Sequence, residues 1–340
     1  MKYAYRTPLA AALLLVSAPP ALDAQALEAD VRHQLATLAH DSMMGRRVGT
    51  PGTEKAARYL AAQLAAFGVR PAGDMGYYQQ VPMARPEAGQ RRAPVLLDDL
   101  AGLDTLPEER RMLERNVVGI IRGADLELRD EVVVVAAHYD HVGIGQPVDG
   151  DSIYNGADDD ASGVVAVLEI ARALAAGPAP KRTVVVLLST AEEVGMQGTR
   201  FYMRNPAMPL ERTVAQFEVE MIGRPDSLAG GPGRAWLTGY ERTTMGAQLA
   251  ARGIPLVPDP RPEQNFFQRS DNIVFARAGI PAHTLSSFNL HTDYHQPSDE
   301  VEHVDFEHMT AVINAAVDAV RILTDGPRPE WLPGGRPGQI

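Results

Sequence analysis

The sequence predicts an α/β fold built on an open, mostly parallel sheet. Three observations carry that prediction. Val132-Val133-Val134-Val135-Ala136-Ala137 is an apolar run without polar alternation, as expected of a parallel strand covered on both faces. Thr183 to Ser189 is a second such run. Between them Ser162 to Ala176 has helical spacing, so strand, helix and strand make a βαβ unit with a right-handed crossover.

The flanking elements follow in order. Residues 1–24 have the layout of a secretory leader: Lys2 and Arg6 precede the apolar run Leu9 to Val16, and small residues lead to Ala24-Gln25. Cleavage after Ala24 would send residues 25–340 to the periplasm or the outside of the cell; the alternative is an N-terminal anchor that stays attached. Thr53 to Phe67 reads as an amphipathic helix, with Ala57, Leu60, Leu64 and Phe67 on one face, Thr53 as cap and Gly68 as stop. Residues from Val81 to Arg115 are Pro- and charge-rich and suggest a surface excursion or a short edge hairpin. Asn116 to Arg122 and Glu131 to Ala137 read as strands, as do Thr213 to Val219 and Ala235 to Thr238. Helices are expected near Thr244 to Ala251 and over Phe306 to Leu323. Residues 326–340 are Pro- and Gly-rich and expected to be loose. No internal repeat is visible.

Composition narrows the function. Hydrophobic content of 45% and charged content of 22% fit a globular protein with a substantial core. The formal charge of −11, with no Lys/Arg cluster, argues against nucleic acid and anionic membrane as partners. There is no cysteine, which excludes disulfides, thiolate ligands and acylation of a lipoprotein cysteine. The 340 residues would allow two domains. The candidate ligands run from His138 to His295, however, so one unit over residues 25–325 must gather them.

Five patches supply the chemistry: Ala137-His138-Tyr139-Asp140, Gly156-Ala157-Asp158-Asp159-Asp160, Ala191-Glu192-Glu193, Val219-Glu220-Met221 and Tyr294-His295. Each offers imidazole or carboxylate, donors that divalent zinc accepts. His138, Glu192-Glu193 and Glu220 each follow a predicted strand, at the carboxyl edge where open α/β sheets place their ligand crevice. Each patch alone has a plainer reading. His138 and Asp140 could simply hydrogen-bond, the three aspartates could cap the helix that follows, and the glutamates could be solvated strand ends. His291 competes with His295. Taken together and in this order, they imply a two-metal hydrolase. Asp158 is the expected metal bridge, His138 a ligand oriented by Asp140, and the Glu192-Glu193 pair a division of labour between proton transfer and ligation.

At this point a resemblance is specific. Ala137 to Gly143, Asn155 to Gly163, Ala191-Glu192-Glu193 and Tyr294 to Asp299 resemble the secreted bacterial leucyl-aminopeptidase and glutamate carboxypeptidase family of di-zinc exopeptidases. Gly45-Arg46, Gly49-Thr50-Pro51-Gly52 and Ala278 to Ala282 are similar too, so the likeness spans roughly residues 35 to 325. It implies a three-layer α/β/α sandwich around a mostly parallel mixed central sheet, the zinc exopeptidase (phosphorylase/hydrolase-like) fold. It implies two zinc ions per chain bridged by Asp158, one completed by His138 and Glu220, the other by Glu193 and His295. Glu192 would be the general base, Asp140 the partner of His138, and Tyr294 the group that steadies the tetrahedral intermediate. The Asp158–Asp159 peptide would be cis. Two positions depart from the pattern: Glu220 stands where aminopeptidase relatives usually have Asp, and Asn272 where the pattern has His. No segment is long enough for a protease-associated insert.

The expected activity is removal of N-terminal residues from peptides. The alternatives are a carboxypeptidase-like hydrolase, for which Arg269 is the cation at hand, a single-zinc cyclase of N-terminal glutamine, and a non-catalytic scaffold.

Overall fold

The computed structural model describes residues 25–87, 89–90 and 92–338. The leader expected over residues 1–24 lies outside the described residues. The strands are β1 (Arg70–Pro71), β2 (Tyr78–Ala84), β3 (Val95–Leu96), β4 (Arg111–Ile121), β5 (Val132–His138), β6 (Gly143–Val148), β7 (Asp151–Tyr154), β8 (Thr183–Ser189), β9 (Thr213–Val219), β10 (Ala235–Leu237), β11 (Leu256–Pro258) and β12 (Ala282–Ser286). The helices are α1 (Glu28–Leu38), α2 (Pro51–Ala66), α3 (Ala101–Asp104), α4 (Gly163–Ala176), α5 (Gln197–Arg204), α6 (Met245–Ala250), α7 (Asn272–Arg277) and α8 (Phe306–Asp325).

The two unbroken apolar runs, β5 and β8, lie side by side in parallel, from Val132 opposite Thr183 to His138 opposite Ser189. β9 pairs in parallel on the other side of β5, and β12 in parallel with β9. The full sheet runs β11-β10-β12-β9-β5-β8-β4-β2-β3, with β1 against β4. Its centre is parallel and its β4-β2-β3 flank antiparallel, the mixed sheet expected. The stretch from Val81 to Arg115 supplies much of that flank.

Burial explains the lack of alternation in β5. Val133, Val135 and Ala137 pack into one core with α1, α2, α4 and α8. Val132, Val134 and Ala136 pack into a second core with Tyr202 of α5 and Phe275 of α7. With both faces dry, each valine contributes about 1.5–3 kcal/mol of burial. The helices on the two faces complete the α/β/α sandwich.

Two local expectations are corrected. Helix α2 begins at Pro51, and Thr50 rather than Thr53 caps it, accepting a hydrogen bond from the Gly52 amide at 3.3 Å. Pro51 at the first helical position has no amide to satisfy, so the helix starts there. The segment after Gly326 is not loose as far as it is described. Trp331 bridges to Thr243 and its indole donates to the Gly279 carbonyl at 2.8 Å, while Arg328 pairs with Glu131 at 2.5 Å. Among the described residues no helix is long and apolar enough to cross a membrane.

Candidate metal centre

β5, β8, β9 and β12 are parallel neighbours, so their carboxyl ends share one edge. His138 closes β5, Glu192 and Glu193 follow β8, Glu220 follows β9, and the loop after β12 carries Tyr294 and His295. Two groups of donors meet there, and Asp159 belongs to both. In the first, the His138 Nε2 lies 3.4 Å from Asp159 Oδ1 and 3.9 Å from Glu220 Oε1. In the second, the His295 Nε2 lies 3.0 Å from Asp159 Oδ2 and 3.1 Å from Glu193 Oε1. His141 joins the second group, its Nδ1 2.9 Å from Glu193 Oε1 and 3.8 Å from Asp159 Oδ2.

Asp158 is therefore corrected as the bridge. Its carboxylate faces away from both groups, accepting from the Gly223 amide at 2.6 Å and from Ser162 Oγ at 3.2 Å, with His291 Nε2 at 2.9 Å. The three consecutive acids divide three tasks. Asp158 ties the turn to the segment after β9, Asp159 enters the donor cluster, and Asp160 Oδ1 accepts from the Gly163 and Met221 amides at 3.0 Å each. Asp160 thus does the helix-capping job that was one plain reading of this patch. The cis peptide expected at Asp158–Asp159 is found one residue on, at Asp159–Asp160. Gly156 makes the turn possible. It has φ +56°, and a Cβ there would lie 2.2 Å from the Asp159 carbonyl and 2.5 Å from the His141 ring.

Asp140 acts differently from expectation. The imidazole Nδ1 of His138 is held by the main-chain carbonyl of Asp140 at 3.2 Å, while the carboxylate stands 3.9 Å away. That carboxylate instead accepts from the amides of Glu192 and Glu193 at 3.0 and 3.3 Å. It fixes the main chain that carries both glutamates, and Nδ1 bonding leaves His138 Nε2 turned to the cluster.

Sequence reasoning placed three supporting residues within its motifs but gave them no role. His141 lies in an irregular loop, and its only signal was a histidine three positions beyond His138. Arg46 is fully buried and donates to the carbonyls of Tyr139, Leu38, Asn155 and Gly156 at 2.6–2.9 Å. It thereby ties the loop after β5 to the turn before Asp159. Asp299 accepts from the Asp158 and Asp159 amides at 3.1 Å. The backbone at the edge is also unusual: Ala191, Met221 and His295, none of them glycine, have φ of 59°, 51° and 55°. Met221 adjoins Glu220, His295 is itself in the cluster, and Ala191 precedes the Glu192-Glu193 pair, which is where backbone strain tends to collect.

The electrostatics demand positive charge. Burial pushes the Glu192 carboxyl well above its usual range; Asp271, Glu220 and Glu193 add to the rise, and His138 opposes it. Burial and Asp159 would raise Glu193, but His141 and His295 hold it at about 2. Burial would lower His295, yet Asp159 and Glu193 lift it to about 10. The Nε2 atoms of His138 and His141 are buried with no hydrogen-bond partner among the described residues, and that of His295 faces two carboxylate oxygens at 3.0 and 3.1 Å. Unpartnered buried imidazole nitrogens beside carboxylates on a sheet edge fit a nitrogen- and oxygen-liganded divalent metal. Asn272 does not join them: it bonds the Phe267 carbonyl and Thr284 beneath the site.

A cleft opens over this cluster. Glu192 and Tyr294 line it, and the Tyr294 ring stacks on His295 with centroids 4.0 Å apart.

Comparison with known proteins places the chain. The family model for peptidase family M28 matches residues 116–320. The chain is 28% identical over 198 residues to a vacuolar membrane protease of Aspergillus clavatus, across 57% of this chain and 19% of that protein. It is 25% identical over 210 residues to aminopeptidase YwaD of Bacillus subtilis, across 57% of this chain and 41% of that one. It thus spans less than half the length of these curated relatives. Among solved structures, a zinc aminopeptidase from Bacillus subtilis superposes with TM-score 0.61 at 14% identity, covering 88% of this chain and 95% of that one. An aminopeptidase from Aneurinibacillus sp. strain AM-1 gives 0.61 at 16% identity, covering 90% and 96%. At such identities the likeness concerns the fold.

Proposed function

The chain belongs to peptidase family M28, and on that premise we propose that it is a zinc-dependent aminopeptidase that binds two metal ions. The single observation that carries this reading is the pair of donor groups sharing Asp159, each with buried, unpartnered imidazole nitrogen. His138, Asp159 and Glu220 would hold one ion; Asp159, Glu193 and His295 the other, with His141 beside it. Zinc bound there would polarise the scissile carbonyl and acidify water.

The chain's own residues supply the rest. Glu192 lines the cleft beside both groups and takes the proton of the attacking water, then delivers it to the leaving amine. Its raised pKa suits a group that must both accept and return a proton. Asp140 keeps Glu192 in place through the Glu192 amide. The Tyr294 hydroxyl, on the cleft wall, donates to the oxyanion as it develops. The names of aminopeptidase YwaD and of the two superposed aminopeptidases support N-terminal cleavage, and the leader-like residues 1–24 support work outside the cytoplasm.

The test is Glu192→Ala with an aminoacyl anilide, beside the same peptide with its amine blocked. Metal content should persist while turnover falls by about 10²–10⁴-fold, and only the free-amine substrate should be cleaved by the unaltered protein. Undiminished turnover in Glu192→Ala would refute the assigned base, and faster cleavage of the blocked peptide would refute the direction.

A further inference from the structure

Among the described residues, the cleft above the metal centre has one Lys or Arg in its lining, Arg269. Four carboxylates, Asp159, Glu192, Glu193 and Glu220, form its floor, and Trp236, Phe266, Phe288 and Tyr294 form an aromatic wall. Arg269 stands on that wall, exposed, at the end of the short turn Phe266–Gln268. Its guanidinium carbon is 5.0 Å from the Phe266 ring centroid. Phe266 in turn packs on Trp236 and Phe288, with centroids 5.1 and 5.9 Å apart. A guanidinium lying over an aromatic face is held in direction while its fork of N–H donors stays open.

What sets Arg269 apart is that this fork has no partner. Among the described residues its side chain makes no hydrogen bond and no ion pair, and only its main-chain amide is used, donating to Phe266. By contrast, Arg224 pairs with Asp293 at 2.6 Å and Arg261 with Asp226 at 2.5 Å. None of the four floor acids forms an ion pair with Arg269.

We propose that Arg269 is the carboxylate-recognising residue of this cleft, selecting peptides that carry a carboxylate close to the bond cleaved. The proposal rests on the exopeptidase reading above and names its substrate class. The shared chemistry is a carboxylate gripped by a guanidinium fork. It has two sources: an acidic side chain seated against the aromatic wall, or the terminal carboxylate of a dipeptide.

The experiment separates them with two substrate pairs, Glu-anilide against Gln-anilide and Leu-Leu against Leu-Leu-amide, assayed on the metal-loaded chain and on Arg269→Gln and Arg269→Lys. The unaltered protein should favour the carboxylate member of one pair by about tenfold or more in kcat/KM. In Arg269→Gln that ratio should fall to near one, and Arg269→Lys should restore part of it. A preference in the first pair assigns the side chain, and in the second the terminal carboxylate. No preference in either pair, or a preference that survives Arg269→Gln, overturns the proposal and leaves the exopeptidase reading intact. The same four peptides titrated calorimetrically into Glu192→Gln protein, with and without Arg269→Gln, give a readout independent of turnover. Should no peptide be cleaved, the exopeptidase reading falls, and the binding ratio alone upholds or overturns the role of Arg269.

Discussion

Replacing Arg46 by methionine tests how the ligand loops are held. The guanidinium is buried and donates to the carbonyls of Tyr139, Leu38, Asn155 and Gly156. Hydrogen bonds to a charged group contribute about 1.5–3 kcal/mol each, so four would amount to roughly 6–12 kcal/mol. Burying the guanidinium, whose pKa burial pulls down against the pull of Asp159 and Asp299, offsets several kcal/mol of that. A net loss of about 4 kcal/mol is expected, with the carbonyls of Leu38, Tyr139 and Asn155 left without donors while that of Gly156 keeps the Ala161 amide. Arg46→Lys should recover no more than half, because one ammonium on a flexible stem cannot span both loops. Urea unfolding followed by circular dichroism measures the stability. Zinc titration of the folded fraction should show affinity weaker by about tenfold or more, as for groups that orient metal ligands. Loss of less than about 1 kcal/mol, with unchanged zinc affinity, would refute the reasoning.

Three further outcomes are expected. Asp159→Asn should strip metal from the chain on dialysis, whereas Asp158→Asn should retain it, as read by metal analysis of both proteins. His283 is buried between the Thr238 carbonyl and Thr243 Oγ1, and burial lowers its pKa to about 4. A depressed folded-state value means the neutral ring stabilises the fold above pH about 6.5, and that contribution is lost as pH falls from about 6.5 to about 4. Roughly 3 kcal/mol is at stake, and His283→Gln should flatten the acid limb of a plot of stability against pH. Trp331→Ala should cost about 2 kcal/mol, seen in urea unfolding, because the indole joins the terminal segment to Gly279; no change would mean the segment is as loose as its composition suggested.

Strands β5 and β8, which lead to candidate donors, were legible because they are dry on both faces, which writes an uninterrupted apolar run into the sequence. Polar residues that follow such a run stand out, as His138, Glu192 and Glu193 do; Glu220 follows β9, which has Gln216 and Glu218 within it, and is legible only from its place beside the other strand ends. β12 escaped because Ala282–Ser286 buries His283, Thr284 and Ser286, polar groups satisfied by partners distant in sequence. The choice between Asp158 and Asp159 was not legible at all. Three identical residues differ only in the backbone turn that follows Gly156, and no side-chain pattern encodes which carboxylate faces the edge. Arg46 was likewise opaque, since a buried arginine is recognisable only once the carbonyls around it are in place.

The most direct measurement is the zinc content of the purified, folded protein after loading and dialysis. Two ions per chain are predicted, one for each donor group that shares Asp159. A folded chain that retains one ion would contradict the shared centre, and one that retains none would remove the metal chemistry altogether.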